Sequence, residues 1–276
     1  MEQRDSEEIV RKYYNTRQHI EAYRNTGLIV CEQQIFDMFL RPTDRVLDIG
    51  CFVGRVSFAL AKRCGFVLGV DIAEDGIMQA REKKRAEGFE NCDFQIASAQ
   101  ELPADDGSFD VTLLAYNSLE CMPGKKQRES ALAECFRVLK PGGHAVLSVH
   151  NRWHSRYLRV LAVYDTVRLI YRLHHRLGSM LLRQLQKHWT FLHPDMLTHE
   201  RHTIFEQMAG SVAVWPVYFY SRSEIKRQLR SMGFRDIRIF QIDAQDPYTQ
   251  QGRSAAVRSR PRPSFFVPGY YIVATK

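Results

Sequence analysis

No run of about 18 apolar residues occurs in this chain of 276, so no transmembrane helix is expected. The first eight residues, Met1 to Glu8, are polar and acidic and read as neither a signal nor a transit peptide. The six cysteines (Cys31, Cys51, Cys64, Cys92, Cys121 and Cys135) form no CxxC pair. Their scatter excludes a zinc site and a disulfide framework as readings of the sequence, and implies a reduced, cytoplasmic compartment. There is no internal repeat and no low-complexity tract. What remains has the balance of an ordinary globular protein, 45% apolar and 25% charged. The length suits one α/β domain with an insertion, or at most two small domains.

Acidic residues are nearly missing from one segment. Residues 151–188 hold seven arginines and Lys187 against Asp165 alone, a net +7 that accounts for almost all of the chain's +8. Any partner selected by charge is therefore anionic and meets this segment. The same region is rich in histidine, with nine of ten between His144 and His202. His150 and His154 stand four apart, but no cysteine lies nearby and carboxylates are few, so no metal site is expected.

Hydrophobic spacing sets the order of elements. Asp5 to Arg17 reads as a helix capped by Asp5 or Ser6, and Leu28 to Leu40 as a second that stops before Pro42. Short apolar runs then alternate with helical stretches. Strands are expected at 45–49, 66–71, 92–97, 109–115 and 144–149, and helices at 55–64, 74–87 and 126–139, the last ended by Pro141-Gly142-Gly143. Such alternation means a parallel sheet with helices on both faces. From 151 to about 210 no strand is evident and the pattern is helical. A helix at 222–232 and strands at 234–242 and 270–275 follow, with 244–268 as an exposed loop.

The strongest local signal is Val46-Leu47-Asp48-Ile49-Gly50-Cys51-Phe52-Val53-Gly54, a buried strand running into a glycine turn and then a helix. Ligands of open parallel sheets bind at such turns, outside the carboxyl ends of the strands. The GxxxG spacing departs from the GxGxxG of dinucleotide sites. Asp48, just before the turn, repels a pyrophosphate but can receive an ammonium group or a water. Asp71 ends the second strand, 21 residues after Gly50, where a carboxylate can accept hydrogen bonds from ribose hydroxyls.

Over residues 46–149 the chain resembles the class I S-adenosylmethionine-dependent methyltransferases. The resemblance rests on the VLDIGC turn, Asp71, the segment ELPADDGSFDVTLLAYNSLE and the turn RVLKPGG, in that order. It implies a Rossmann-like, doubly wound, mostly parallel seven-stranded sheet with the last strand antiparallel, and a helical lid inserted after strand five. It divides the chain into N-terminal helices at 1–44, covering the cofactor site, and a cofactor-binding domain at 45–276 with a basic helical insertion at 151–210. It also implies S-adenosyl-L-methionine as cofactor and S-adenosyl-L-homocysteine as product. Asp48, Gly50, Cys51 and Gly54 would surround the methionine part. Asp71 would hold the ribose and Ile72 would pack on the adenine. Ser98, Ala99 and Gln100 would follow the adenine edge, and Tyr116 would lie near the sulfonium or the acceptor. Two positions depart from the family pattern. Phe52 replaces a turn glycine, so its ring either crowds the cofactor or folds outward, and Ser98 replaces an acidic residue.

Methyl transfer is an in-line displacement that asks mainly for alignment. A hydroxyl acceptor also needs a base. His150, just after strand five, is the candidate base, and Tyr116 with Asn117 the candidate for orienting the acceptor. The [ND]PP[YF] signature of amino-group methylation on bases or glutamine is absent. The acceptor is therefore expected to be small and hydrophobic or lipid-like, with RNA, such as tRNA, or a binding-only protein as alternatives. The basic amphipathic stretch 152–188 could lie on an anionic membrane, track RNA phosphates or cap the domain.

Overall fold

β-branched residues and leucine fill the apolar runs at 45–49, 66–71 and 109–114, and these three become strands buried on both faces, as is usual in parallel sheets. The computed structural model describes residues 8, 11, 14, 15, 17–24, 27–122, 124–186, 203–207, 214–243, 256–258 and 269–276. In chain order these give α1 (Arg17–Arg24), α2 (Val30–Phe39), β1 (Arg45–Ile49), α3 (Arg55–Ala61), β2 (Phe66–Asp71), α4 (Glu74–Glu87) and β3 (Cys92–Ile96). Next come β4 (Phe109–Leu114), a 3-10 turn (Ser118–Cys121), α5 (Lys125–Val138), β5 (Leu139–His150), α6 (Ser155–Leu173) and α7 (His175–Gln186). The last are β6 (Thr203–Gln207), β7 (Val214–Tyr218), α8 (Arg222–Ser231), β8 (Arg235–Asp243), β9 (Ala256–Arg258) and β10 (Gly269–Thr275).

The main sheet has the order β3-β2-β1-β4-β5-β10-β8-β9. β1 to β5 run parallel, and β10 lies antiparallel between β5 and β8. The order reverses direction at β1, where β2 lies on one side and β4 on the other. That is the switch point at which open α/β sheets bind ligands. Two apolar cores result. Leu47, Ile49, Leu68, Val70, Leu147 and Ile272 face α5 and α8. Val46, Val67, Val111, Leu113, Val146 and Val273 face α2, α3 and α4.

The seven expected strands are present in a Rossmann-like sheet, and four local expectations are corrected. The helix expected over 5–17 is interrupted by a bend at Asn15, and α1 begins at Arg17 as a separate helix; Glu8, Arg11 and Tyr14 are helical as expected, while the capping residues Asp5 and Ser6 lie outside the described residues. Pro141-Gly142-Gly143 does not end a helix but sits inside β5, which begins at Leu139. The pairing with β4 shifts register there and Gly142 has φ +80°, a bulge that proline and glycine tolerate near a strand's start. The insertion is helical over α6 and α7 but also contributes β6, paired with β7 in a separate two-stranded sheet. Residues 187–202 and 208–210 of it lie outside the described residues. Within 244–268, read as loop, Ala256–Arg258 adds an eighth edge strand against β8; the rest of that stretch is outside the described residues.

No described helix is long and apolar enough to cross a membrane. All six cysteines are free.

Candidate cofactor and acceptor site

The turn after β1 is strapped to the end of β2. Gly50 N and Cys51 N both donate to Val70 O, at 2.8 and 3.1 Å. Phe52 N donates to Asp71 Oδ2 and Ala73 N to Asp71 Oδ1, both at 2.8 Å. Each Asp71 oxygen thus keeps acceptor capacity toward the cavity that it lines. Gly50 has φ +79°, and a Cβ there would stand 2.8 Å from Ser118 Cβ, so only glycine lets the β4 edge close against the turn.

The cavity at this edge has about 1080 Å³ of empty space, part of it open to solvent. Asp48, Gly50, Cys51, Asp71, Ile72, Ser98, Ala99, Gln100 and Tyr116 all stand on its wall. Gly54 does not. It packs behind, where an added Cβ would meet Phe58 at 2.8 Å and Phe94 at 2.9 Å, and its φ of +77° opens α3. Ser98 Oγ is engaged locally by Gln100 N at 3.3 Å.

Phe52 itself stands on the cavity wall, with its ring packed against the N-terminal helices. Its backbone is left-handed, φ +48°, a conformation that costs a non-glycine residue about 1 kcal/mol or more. Its ring is 7% exposed and sits edge-on to Tyr14 and Tyr23, with centroids 5.5 and 5.6 Å away. Beneath the ring is Gly76 in the first turn of α4. Arg11 and Glu74 pair across this contact at 3.8 Å, and Asn15 accepts from Asp75 N at 3.3 Å. The replaced turn glycine thus anchors the N-terminal helices, and Tyr14 and Tyr23 join the cavity wall.

Asp48 is 2% exposed and accepts from Ser57 Oγ at 2.6 Å. Burial pushes its pKa up to about 6, against the Ser57 bond and the Arg55 charge. Asp71 is also raised by burial, with the Ala73 and Phe52 N–H groups opposing. The Cys51 thiol is driven well up by burial and stays neutral.

Sequence reasoning missed Arg55 and Glu32. The Arg55 guanidinium, on the wall, makes a two-pronged pair with Glu32 at 2.6 and 2.7 Å and donates to Gly27 O at 3.0 Å. Burial alone would lower its pKa, but Glu32 outweighs this and holds the charge firmly. The same guanidinium covers the Tyr116 ring at 4.7 Å. A glutamate within an apolar helical stretch was the one available sign. The wall also includes Ser118, Cys121, Met122 and Gln127 after β4.

His150 is not on the wall. It is 7% exposed, with Nδ1 2.6 Å from Glu120 Oε2 and its backbone N donating to Glu120 Oε1 at 2.8 Å. Its Nε2 lies 3.3 Å from Asn117 Nδ2, and Phe219 stacks on the ring at 4.9 Å. Asn117 N in turn donates to Ser148 Oγ at 2.8 Å. Tyr116 and Asn117 are both left-handed, φ +52° and +62°. Among the described residues no three metal-ligating side chains gather to hold an ion.

A family model described as a methyltransferase domain matches residues 46–143. The methyltransferase GfsG of Streptomyces halstedii is 32% identical over 138 residues, 49% of this chain and 48% of the relative. The 24-methylenesterol C-methyltransferase 2 of Oryza sativa is 35% identical over 140 residues, 50% of this chain and 35% of the relative. The chain thus spans about half or less of the length of these relatives. The crystal structure of a SAM-dependent methyltransferase from Methanosarcina mazei shares the fold, with a TM-score of 0.59, 22% identity, and cover of 91% of this chain and 99% of that one.

Two outcomes are expected from this geometry. Gly76→Ala ordinarily stabilises a helix by about 1 kcal/mol. Here a Cβ would stand 2.5 Å from Phe52 Cδ2, so overpacking wins and the substitution costs about 2 kcal/mol. In a Phe52→Gly background, which removes the ring, most of that cost disappears; urea unfolding of the four-member cycle measures the coupling. Asp48 has a folded pKa above its unfolded value, so its contribution is most favourable below about pH 4 and is lost as pH rises through about 6. Asp48→Asn therefore removes that loss, on the order of 3 kcal/mol at pH 7 to 8. The difference between the two proteins' unfolding curves across this range checks it.

Proposed function

We propose that this chain, which through residues 46–143 belongs to the class I S-adenosylmethionine-dependent methyltransferase family, methylates a small hydrophobic or lipid-like acceptor at oxygen, nitrogen or carbon. S-adenosylmethionine supplies an electrophilic methyl group on a sulfonium and leaves as S-adenosylhomocysteine. The observation that carries this reading is the set of charges on one cavity wall, Asp48, Asp71 and Arg55, at the carboxyl ends of β1 and β2.

These residues fit that cofactor. The methionine end is a zwitterion, and Arg55 offers a fixed cation for its carboxylate while Asp48 offers an anion for its ammonium. Asp71 has lone pairs for the ribose hydroxyls. Ile72 gives an apolar face for the adenine, and Ser98, Ala99 and Gln100 its edge. Tyr116, pinned beneath Arg55, borders the reacting end. Tyr14 and Tyr23 support the reading of 1–44 as a cover. The acceptor class is supported by Cys121 and Met122 on the same wall as Tyr116 and by the sterol methyltransferase among the relatives.

His150 serves this site by positioning. Clamped by Glu120 and touching Asn117, it holds the left-handed Tyr116–Asn117 turn, while Ser148 secures the turn's backbone. Such a backbone persists only when its surroundings over-determine it.

Transfer of labelled methyl from S-adenosylmethionine into fractionated cell extract tests the function. Label is expected in the organic-solvent fraction. Label in a ribonuclease-sensitive fraction would overturn the acceptor class in favour of RNA. Calorimetric binding without transfer to any fraction would favour a binding-only protein. Asp71→Ala is expected to weaken cofactor binding by more than about tenfold, through loss of charge-assisted hydrogen bonds. His150→Gln should lower turnover yet leave the shape of the pH–rate profile unchanged; the disappearance of one limb would instead make His150 the base.

A further inference from the structure

The helical insertion ends in a tip whose surface is apolar and basic together. α6 and α7 are joined at His174 and pack closely, because Gly178 faces Tyr171 where a Cβ would stand 2.4 Å from Tyr171 Cα. The Tyr171 and His175 rings lie 3.8 Å apart and brace the same crossing. One side of α6 is turned inward, with Val167 1% exposed. The opposite stripe, Ala162, Thr166, Leu169, Arg172 and Leu173, is exposed at the three- and four-residue spacing of a helix face. On α7, Arg176, Met180 and Arg183 follow one another at the same spacing, with Leu177 alongside, and all four are exposed.

The exposure is large. Leu173 is 78% exposed, Leu169 57%, Met180 52% and Leu177 47%. These four make up half of the eight large apolar side chains exposed among the described residues, within twelve residues of sequence. Scattered exposed leucines need no explanation, but a contiguous group does. None of these residues lines the cavity, so the face is not spent on the site.

Three kinds of occupant make different physical demands on such a face. A second copy of the face would bring one +7 segment against another, which repels. RNA would use the arginines, but single-stranded bases bind by stacking on aromatic rings, and the exposed apolar groups here are leucine and methionine. An anionic bilayer uses both features at once. Aliphatic side chains enter the boundary between headgroups and acyl chains, and each arginine near the surface adds attraction to the lipid phosphates.

We propose that the α6–α7 tip docks on an anionic phospholipid surface, with Leu169, Leu173, Leu177 and Met180 entering the interface and Arg172, Arg176 and Arg183 meeting phosphates. The proposal goes beyond the methyl-transfer reading and does not depend on it, since docking is measured without turnover.

The test is co-sedimentation of the full chain with vesicles of phosphatidylcholine alone and of phosphatidylcholine with about 30 mol% phosphatidylglycerol. Partitioning is expected to be at least about tenfold stronger on the anionic vesicles and to fall in about 0.5 M NaCl. Leu173→Glu with Leu177→Glu should lower it at least about tenfold, and Arg176→Glu with Arg183→Glu likewise. Both variants should keep the parent's melting temperature, because the altered side chains are exposed. Absent or equal binding to the two vesicle types overturns the proposal. So does vesicle binding that ignores the leucine pair. RNA binding lost with the arginines, without vesicle binding, would make the face a phosphate track. A dimer in sedimentation equilibrium that the leucine pair abolishes would give the face to a second copy.

Discussion

One carboxylate ties the cofactor edge together. Asp71 accepts from Phe52 N and Ala73 N, so the turn after β1 and the turn before α4 hang on the same side chain. The shape of the β1 turn, the direction of Phe52 and the seat of the N-terminal helices all follow from that bridge. It also explains how a left-handed phenylalanine is held where glycine would be strain-free. The hydrogen bond to Asp71 fixes the Phe52 amide, and Tyr14, Tyr23 and Gly76 enclose the ring. The strain at this turn is offset by the contacts that bring two tyrosines to the cavity.

Much of this was legible in the sequence because the signals were local. The strands announced themselves by apolar runs, Gly50 by its place between strand and helix, and Asp48 and Asp71 by their places at strand ends. Nine of the ten residues assigned to the cofactor stand on one cavity wall. Gly54 is the exception, since a glycine required for packing against Phe58 and Phe94 looks in sequence like a glycine required for a ligand. The Arg55–Glu32 pair could not be read, for nothing local says that a glutamate 23 residues away will be buried beside an arginine. The direction of Phe52 was open for the same reason, because it is decided by Gly76 and α1. Pro141-Gly142-Gly143 misled because its residues stop helices and start bulged strands equally well. The β6 and β9 pairings depend on partners far along the chain, which alternation within one short segment does not reveal.

The edge where β4 and β5 end is organised by a buried polar chain instead of an apolar contact. Glu120 is fully buried and holds both the backbone and the ring of His150, whose other nitrogen meets Asn117. Burying a carboxylate is costly unless it is well bonded, and this one is bonded to two groups of a single residue. The consequence is a rigid edge where β4 and β5 end, with Tyr116 projecting from a turn that cannot relax. A histidine that reads as a base from its position after a strand is, in the reading proposed above, part of the frame.

The charges around the cavity favour a cationic ligand over a neutral one. Glu32 balances the charge of Arg55, so Asp48 and Asp71 together leave the wall with a net negative charge. Both carboxylates are held above their ordinary pKa by burial, so the protein's own dipoles and cations do not satisfy them fully. A ligand bearing net positive charge would restore that balance and lower both pKa values. Transfer of a methyl cation would remove one unit of charge from the ligand and return the wall to its raised state. The arrangement that would draw in the donor would thus weaken its hold on the product, and the same two aspartates would serve binding before transfer and release after it.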